Sequence, residues 1–530
     1  MRGHANEPTF QPEIPMVAKS KKFAKAPGTK SAKKVPKKKA KAVAPPVATA
    51  PVEQVAGGIL AWEDDPFAAT VPTPVNSTPI RRPVPDLSSG KLLARIVEKA
   101  PAPKEYPAGT SEFRYWAAAD ALKRGLDFWT GLLPSGTQWF STIGERLQVE
   151  LDRGADLNAY YTRRGLEFYH ANIGGRVVFS GESPDIVCHE LGHAVLDALR
   201  PQLFNIASIE SAAFHESFGD MSALLVALQL PSVRERTLLQ AEGRIYRTSR
   251  LSRLAEQLGW AIRQIRPDAA EPDALRNAVN SFFYTDPAKL PPDAPASQLS
   301  SRPHSFSRVF TGAFFEALGG MLLVLGPTEP NLLRASHDAG QLLVEAIQSA
   351  PIVPAYFSQV AAAIIDADRT QFNGLYRDAL KSAFVRHGVL SLAAAAAKAA
   401  SPLVGVAAVA ADTVAPKAKD EAELPITEIV AATFGLKEKT LFVHAPSEPV
   451  RFQAFGAAPD LGEIPSHGQA EDAQFFLEDL FRRGRVNLGE HGDEEVRISH
   501  PFAKKTHELV RQKGALVLHR LRFDCGFDGE

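Results

Sequence analysis

The segment SPDIVCHELGHAVLDAL, residues 183–199, sets His189, Glu190 and His193 in the spacing H-E-x-x-H. On a helix, positions i and i+4 lie about 40° apart, so both imidazoles project from one face. Two imidazoles side by side can take one zinc ion, and the adjacent carboxylate of Glu190 can take a proton from water. The flanks predict a buried helix. Ile186, Val187, Leu191, Ala194 and Val195 supply apolar faces, and Ser183-Pro184 offers a cap followed by proline in the first turn. Cys188 is expected to be a small buried hydrophobe.

Such a site needs a third ligand. The metzincin continuation H-x-x-G-x-x-H is excluded, because Leu196 and Leu199 stand at its glycine and histidine places. Downstream, SIESAAFHESFGDMSALLVAL (208–228) predicts a second amphipathic helix with Glu216 and Asp220 one turn apart on one face. Glu216 can complete a His2Glu set with an open position for water. Asp220 can hydrogen-bond the free nitrogen of a ligand imidazole and fix its tautomer. His215 and Glu210 are rival ligands.

Working outward, SEFRYWAAADALKRGLDFW (from Ser111) has helical apolar spacing, and RLQVELD, LNAYY, LEFYH and RVVFS between 146 and 180 read as short strands. Nearly everything from 186 to 392 reads helical. Residues 393–422 form an Ala/Pro/Lys linker. Residues 423–530 are expected to be a small mixed α/β domain, with strands TLFVHA and ALVLHRLRF and a helix at EDAQFFLEDLFRR. Residues 1–104, rich in Lys, Pro and Ala, are expected to be mostly disordered, with a short helix possible around Gly90–Lys99. The fold class is α+β.

The chain has 530 residues, 45% hydrophobic and 23% charged, which excludes wholesale disorder. Two cysteines exclude both a disulfide framework and a cysteine-built zinc finger, and fit a reducing compartment. The formal net charge of zero hides a basic first fifty residues, net +10, ahead of a remainder at net −10. Eleven lysines fall between Lys19 and Lys41, a run that reads first as a solvated tail and second as a weak contact for a polyanion such as nucleic acid. The N-terminus has no apolar run of signal-peptide type. The stretch 390–415 is alanine-dominated and broken by Lys398 and Pro402. The expectation is a cytoplasmic monomer without a membrane segment.

With these motifs in place, residues 110–392 resemble the thermolysin-like gluzincin metallopeptidases, a zinc family in which H-E-x-x-H is followed by a helix bearing E-x-x-x-D, here Glu216 to Asp220. RPHSFSRVFTGAFFEAL (302–318) looks like the family's H-x-x-S segment, which implies that His304 stabilises the transition state, with Ser307 at the serine place. YTDPAKLPPDAP (284–295) resembles the loop before it, and LKSAFVRHGVL (380–390) the family's last helix. Asn158 and Ala159 resemble the pair on the edge strand that binds substrate backbone. The resemblance implies a thermolysin-like two-lobe fold, one zinc per chain on His189, His193 and Glu216, Glu190 as general base, and a peptide or protein substrate.

The chain departs from the family at several places. Phe204 stands where the family usually has a tyrosine hydroxyl for the oxyanion, and Leu299 replaces the aspartate that orients the catalytic histidine. The substrate-binding arginine has no clear match, with Arg302 or Arg276 able to compensate. Asp185 matches one calcium-site acid, but its partners downstream of Asp220 are apolar, so calcium is not supported. The expected function is a zinc metalloendopeptidase. The alternative is a catalytically attenuated gluzincin-fold binding module.

Overall fold

The computed structural model describes residues 58–67, 78–392, 394, 424–447, 468–492 and 503–526. The lysine-rich run Lys19–Lys41 and, apart from residue 394, the linker 393–422 lie outside them. The fold is α+β, and residues 55–530 form one unit.

Strands β1 (Ile59–Ala61) and β2 (Ile80–Arg82) pair as an antiparallel ribbon, and β3 (Leu93–Ile96) follows. Helix α1 (Ser111–Leu132) starts where Thr110 Oγ1 accepts from Phe113 N–H at 3.2 Å. Strands β4 (Arg146–Glu150), β5 (Ala159–Thr162) and β6 (Gly165–Phe168) build the front sheet, and β7 (His170–Ile173) and β8 (Arg176–Phe179) form a hairpin beside it. The two motif helices come next. These are α2 (Pro184–Leu199), capped by Ser183, and α3 (Ile209–Ala227), capped by Ser208.

Helix α4 (Pro231–Gln240), the two-residue strands β9 (Arg253–Leu254) and β10 (Arg276–Asn277), and α5 (Glu256–Ile265) lead to a run of helices: α6 (Pro303–Leu325), α7 (Glu329–Ser349), α8 (Tyr356–Phe372) and α9 (Arg377–Arg386). Stacked Phe306 and Phe357, with Phe310 against Phe214, join this run to α3. Helix α6 is the one element among the described residues long and apolar enough to cross a membrane, and 72% of that stretch is buried within the fold.

The remaining elements are β11 (Ile426–Val430), β12 (Thr440–His444), α10 (Gln469–Arg482), β13 (Val486–Asn487), β14 (His507–Gln512), β15 (Ala515–Arg520) and β16 (Arg522–Asp524). Strands β11 to β15 form a five-stranded sheet in the order β11-β12-β15-β14-β13, but β16 leaves it. It joins the front sheet, whose order is β16-β5-β6-β4-β3.

Several expectations are corrected here. ALVLHRLRF is two strands in two different sheets, divided at Leu521. Strand β5 is not an edge strand, because β16 covers it. Residues 423–530 are not a free-standing domain. Besides β16, Ala207 N–H donates to His444 O at 2.7 Å and Arg520 N–H to Asn205 Oδ1 at 2.9 Å. The described part of residues 1–104 is folded rather than disordered, and Gly90–Lys99 contains strand β3, parallel to β4, rather than a helix. Trp62 is buried, Arg250 Nε donates to Asp64 Oδ2 at 2.6 Å, and Ser183 Oγ donates to Asp65 Oδ2 at 2.7 Å. A buried indole and two buried carboxylates with dedicated partners fix this segment against the N-terminus of α2.

Candidate metal centre

Helices α2 and α3 approach closely because glycines face each other. A Cβ on Gly192 would sit 2.8 Å from Ser222 Cβ and 3.0 Å from Gly219 Cα, and a Cβ on Gly219 would sit 2.6 Å from the His189 ring. This contact seats the α3 carboxylates against the α2 imidazoles. The rings of His189 and His193 lie 4.7 Å apart and nearly perpendicular. His189 Nε2 is 3.4 Å from Glu216 Oε2, and His193 Nε2 is 3.8 Å from Glu216 Oε1. His189, Glu190 and His193 also bring one ligand atom each to within 4.8 Å of one another. All four side chains are buried.

Each imidazole engages a partner at its other nitrogen. His189 Nδ1 meets Asp220 Oδ1 at 3.0 Å. Asp220 is in turn held by Arg276, whose Nη2 donates to Oδ1 at 2.7 Å and Nε to Oδ2 at 2.9 Å. Arg276 therefore braces the Asp220 carboxylate on α3. His193 Nδ1 meets His215 Nδ1 at 2.9 Å, which places His215 behind His193. The other rival, Glu210, is turned away: Phe357 N–H donates to it at 2.8 Å and Tyr284 Oη donates to its other oxygen.

The electrostatics follow from this packing. Burial alone would lower the pKa of His189, but hydrogen bonding to Asp220 and Glu216 holds it up at about 9. Burial pushes His193 down to about 3, and burial with the nearby Glu216 charge pushes Glu190 up to about 8. Glu216 would be raised by burial, yet His304, His193 and His189 hold it well below the usual carboxylate range. His189 Nε2 and His193 Nε2 are buried and reach the Glu216 carboxylate only at 3.4 and 3.8 Å, longer than well-formed hydrogen bonds. Two imidazole nitrogens and a carboxylate oxygen converging in a buried space make a donor set that suits a divalent metal.

Helix α6 opens at the same place. His304 Nε2 is 3.2 Å from Glu216 Oε2 and also donates to the backbone carbonyl of Asp524. Ser307 Oγ donates to His304 O at 2.9 Å, closing the first turn. Asn158 and Ala159 lie at the site, where Asn158 Oδ1 and Ala159 O accept backbone N–H groups of Cys525 and Gly526. Phe204 is buried, edge-on to Phe523 at 5.5 Å. A cavity of about 120 Å³, lined in part by Arg276, Arg302, His304 and Gly526, adjoins the site. Asp185 lies apart from the metal centre, with its Oδ2 accepting from Ala255 N–H at 3.0 Å.

Sequence reasoning missed the C-terminal contributors Phe523, Asp524 and Cys525, and it assigned His215 no supporting role. The run ALVLHRLRFDCG opens with the consecutive apolar residues 515–518 and goes on through Phe523, which signals a strand but not the sheet that receives it. In comparisons with known proteins, no family model and no curated protein matches the chain.

Proposed function

We propose that the protein is a zinc-dependent metalloendopeptidase of thermolysin-like gluzincin type, with the two-lobe fold that implies. The observation that carries this reading is the convergence of His189 Nε2, His193 Nε2 and the Glu216 carboxylate in one buried space, with Glu190 and His304 beside them. His189, His193 and Glu216 would hold the zinc, which when bound polarises a scissile carbonyl and acidifies water. Asp220 and Arg276 keep the His189 ring oriented, with its Nε2 lone pair facing inward.

Glu190 takes the proton from the attacking water and delivers it to the leaving amine. Its place beside His189 and His193 would put the carboxylate within reach of a water held by the same metal. His304 Nε2 donates to the oxygen of the carbonyl under attack, and the backbone carbonyl it already binds supports that role. Strand β5 offers Ala159 O and the side chain of Asn158 to the amide groups of an extended peptide.

The test is elemental analysis joined to digestion of denatured casein. One zinc per chain and casein cleavage are expected. Glu190→Gln should retain zinc and fold while losing at least about 10²-fold in kcat. A chain that binds no metal, or a Glu190→Gln protein as active as wild type, overturns the reading. The second reading, an attenuated gluzincin-fold binding module, is favoured by Phe204, which offers the site no hydroxyl. Zinc binding without turnover, even when the cleft is opened as described below, would select it.

A further inference from the structure

The proposed cleft contains a peptide segment, and it belongs to the chain itself. Strand β16 adds antiparallel to β5, pairing Arg522 with Thr162, Phe523 with Tyr161 and Asp524 with Tyr160. Beyond the strand, Cys525 N–H donates to both Ala159 O and Asn158 Oδ1 at 3.2 Å, and Gly526 N–H donates to Asn158 Oδ1 at 2.7 Å. The carbonyl of Asp524 accepts from His304 Nε2. The oxygen and the nitrogen of one peptide link are therefore held separately, by α6 on one side and by β5 on the other. Glu190 stands close enough to Cys525 for thiol and carboxylate to interact.

The segment is fixed on every side. The Phe523 ring stacks on His193 at 4.8 Å and on His215 at 3.9 Å, and Arg485 Nη2 donates to Asp524 Oδ2 at 2.5 Å. A Cβ at Gly526 would lie 2.3 Å from Leu157 O, so only glycine lets the backbone come this close. Closing the sheet edge would explain the pairing of Arg522 to Asp524 with β5. It does not explain why the His304 side chain takes the Asp524 carbonyl, or why Asn158 accepts two amides past the strand's end.

We propose that the Asp524–Cys525 peptide bond is a self-cleavage site, held in reacting position by the fold. The proposal rests on the peptidase reading above. Water oxygen adds to the Asp524 carbonyl carbon and the C–N bond breaks. Glu190 carries the water proton to the Cys525 nitrogen, leaving an α-carboxylate on Asp524 and an α-amine on Cys525. Because the strand is already docked, no encounter step precedes the chemistry. Asp524 stays tied to Arg485 after the cut, while the piece beginning at Cys525, no longer covalently joined to it, is released.

The test follows the full-length chain, loaded with zinc, by intact mass over time. The expected result is loss of a fragment whose first residue is Cys525, at a rate independent of protein concentration. That loss should be absent in Glu190→Gln and after chelation. In a second arm, iodoacetamide labelling before zinc loading should leave Cys525 as protected as Cys188, and Gly526→Ala should expose Cys525 alone. A Cys525 that labels freely in the wild-type chain overturns the proposal. So does a zinc-loaded chain that digests casein with its own Asp524–Cys525 bond whole, or one cut first at another bond. If wild type neither cuts itself nor digests casein, Gly526→Ala decides. Casein cleavage by that variant shows an occupied but uncut cleft and overturns self-cleavage alone. Its inactivity overturns the peptidase reading and this inference with it.

Discussion

His193 has no carboxylate behind it. Its Nδ1 faces another imidazole, His215, and burial depresses the pKa of both rings, that of His215 further by the neighbouring His193 and Arg520. A neutral pair shares one proton across the Nδ1 contact, and donation from His193 frees its Nε2 lone pair for a metal. His215→Ala should therefore weaken metal binding by about 10–100-fold, whereas Glu216→Ala should abolish it. Titration against a competing chelator distinguishes the two. The proposed ligands His189, His193 and Glu216 could be picked out from spacing along two helices. The role of His215 could not, because it depends on how closely α3 approaches α2. Asp185 gives a second test at this scale. Burial and then the nearby Asp65 raise its pKa from 3.8. The folded chain thus keeps a proton that the unfolded chain gives up in the ordinary carboxylate range, so stability is greatest below that range and falls as pH climbs through the raised value. Asp185→Asn should flatten this fall, as seen in thermal unfolding between about pH 4 and pH 9.

At the scale of elements, the α2–α3 contact is the most constrained part of the molecule. Gly219→Ala would push a methyl group into the His189 ring, so it should cost about 1–3 kcal/mol by overpacking and weaken metal binding together with stability. A melting curve and a chelator titration on the same variant check both. The helices were legible from sequence because their signals are local: Ser183-Pro184 caps α2, Ser208 caps α3, and apolar residues recur at helical spacing. The strands β4, β5, β6 and β8 were legible for the same reason. Which sheet a strand joins is decided elsewhere. Residues 515–523 read as one β-prone run, yet Leu521 separates a strand paired with β14 from one paired with β5. Local pattern signals a strand, and only tertiary packing chooses the partner.

At the scale of the whole molecule, the N-terminal segment is the largest departure from expectation. Its Pro/Ala-rich composition suggests a tail, but a few residues outweigh that average. Trp62 is buried, and Glu63 and Asp64 pair with the buried guanidinium of Arg250. Removing a partner from a buried ion pair costs about 3–5 kcal/mol, because the remaining charge stays desolvated. Removing residues 1–104 should therefore abolish cooperative unfolding or lower its midpoint by at least about 10 °C. Calorimetry on the truncated chain and the full chain reads the difference directly.

The position of β16 also has a consequence for biosynthesis. A chain emerging from the ribosome completes α2, α3 and β5 long before residue 522 is made, since Asn158 and Cys525 stand 367 positions apart. Until then, the Ala159–Thr162 strand presents a row of unpaired backbone groups flanked by two tyrosines, the kind of template on which neighbouring nascent chains associate. The final strand thus serves as a late seal, and a message truncated before it would yield a protein prone to aggregate through that edge.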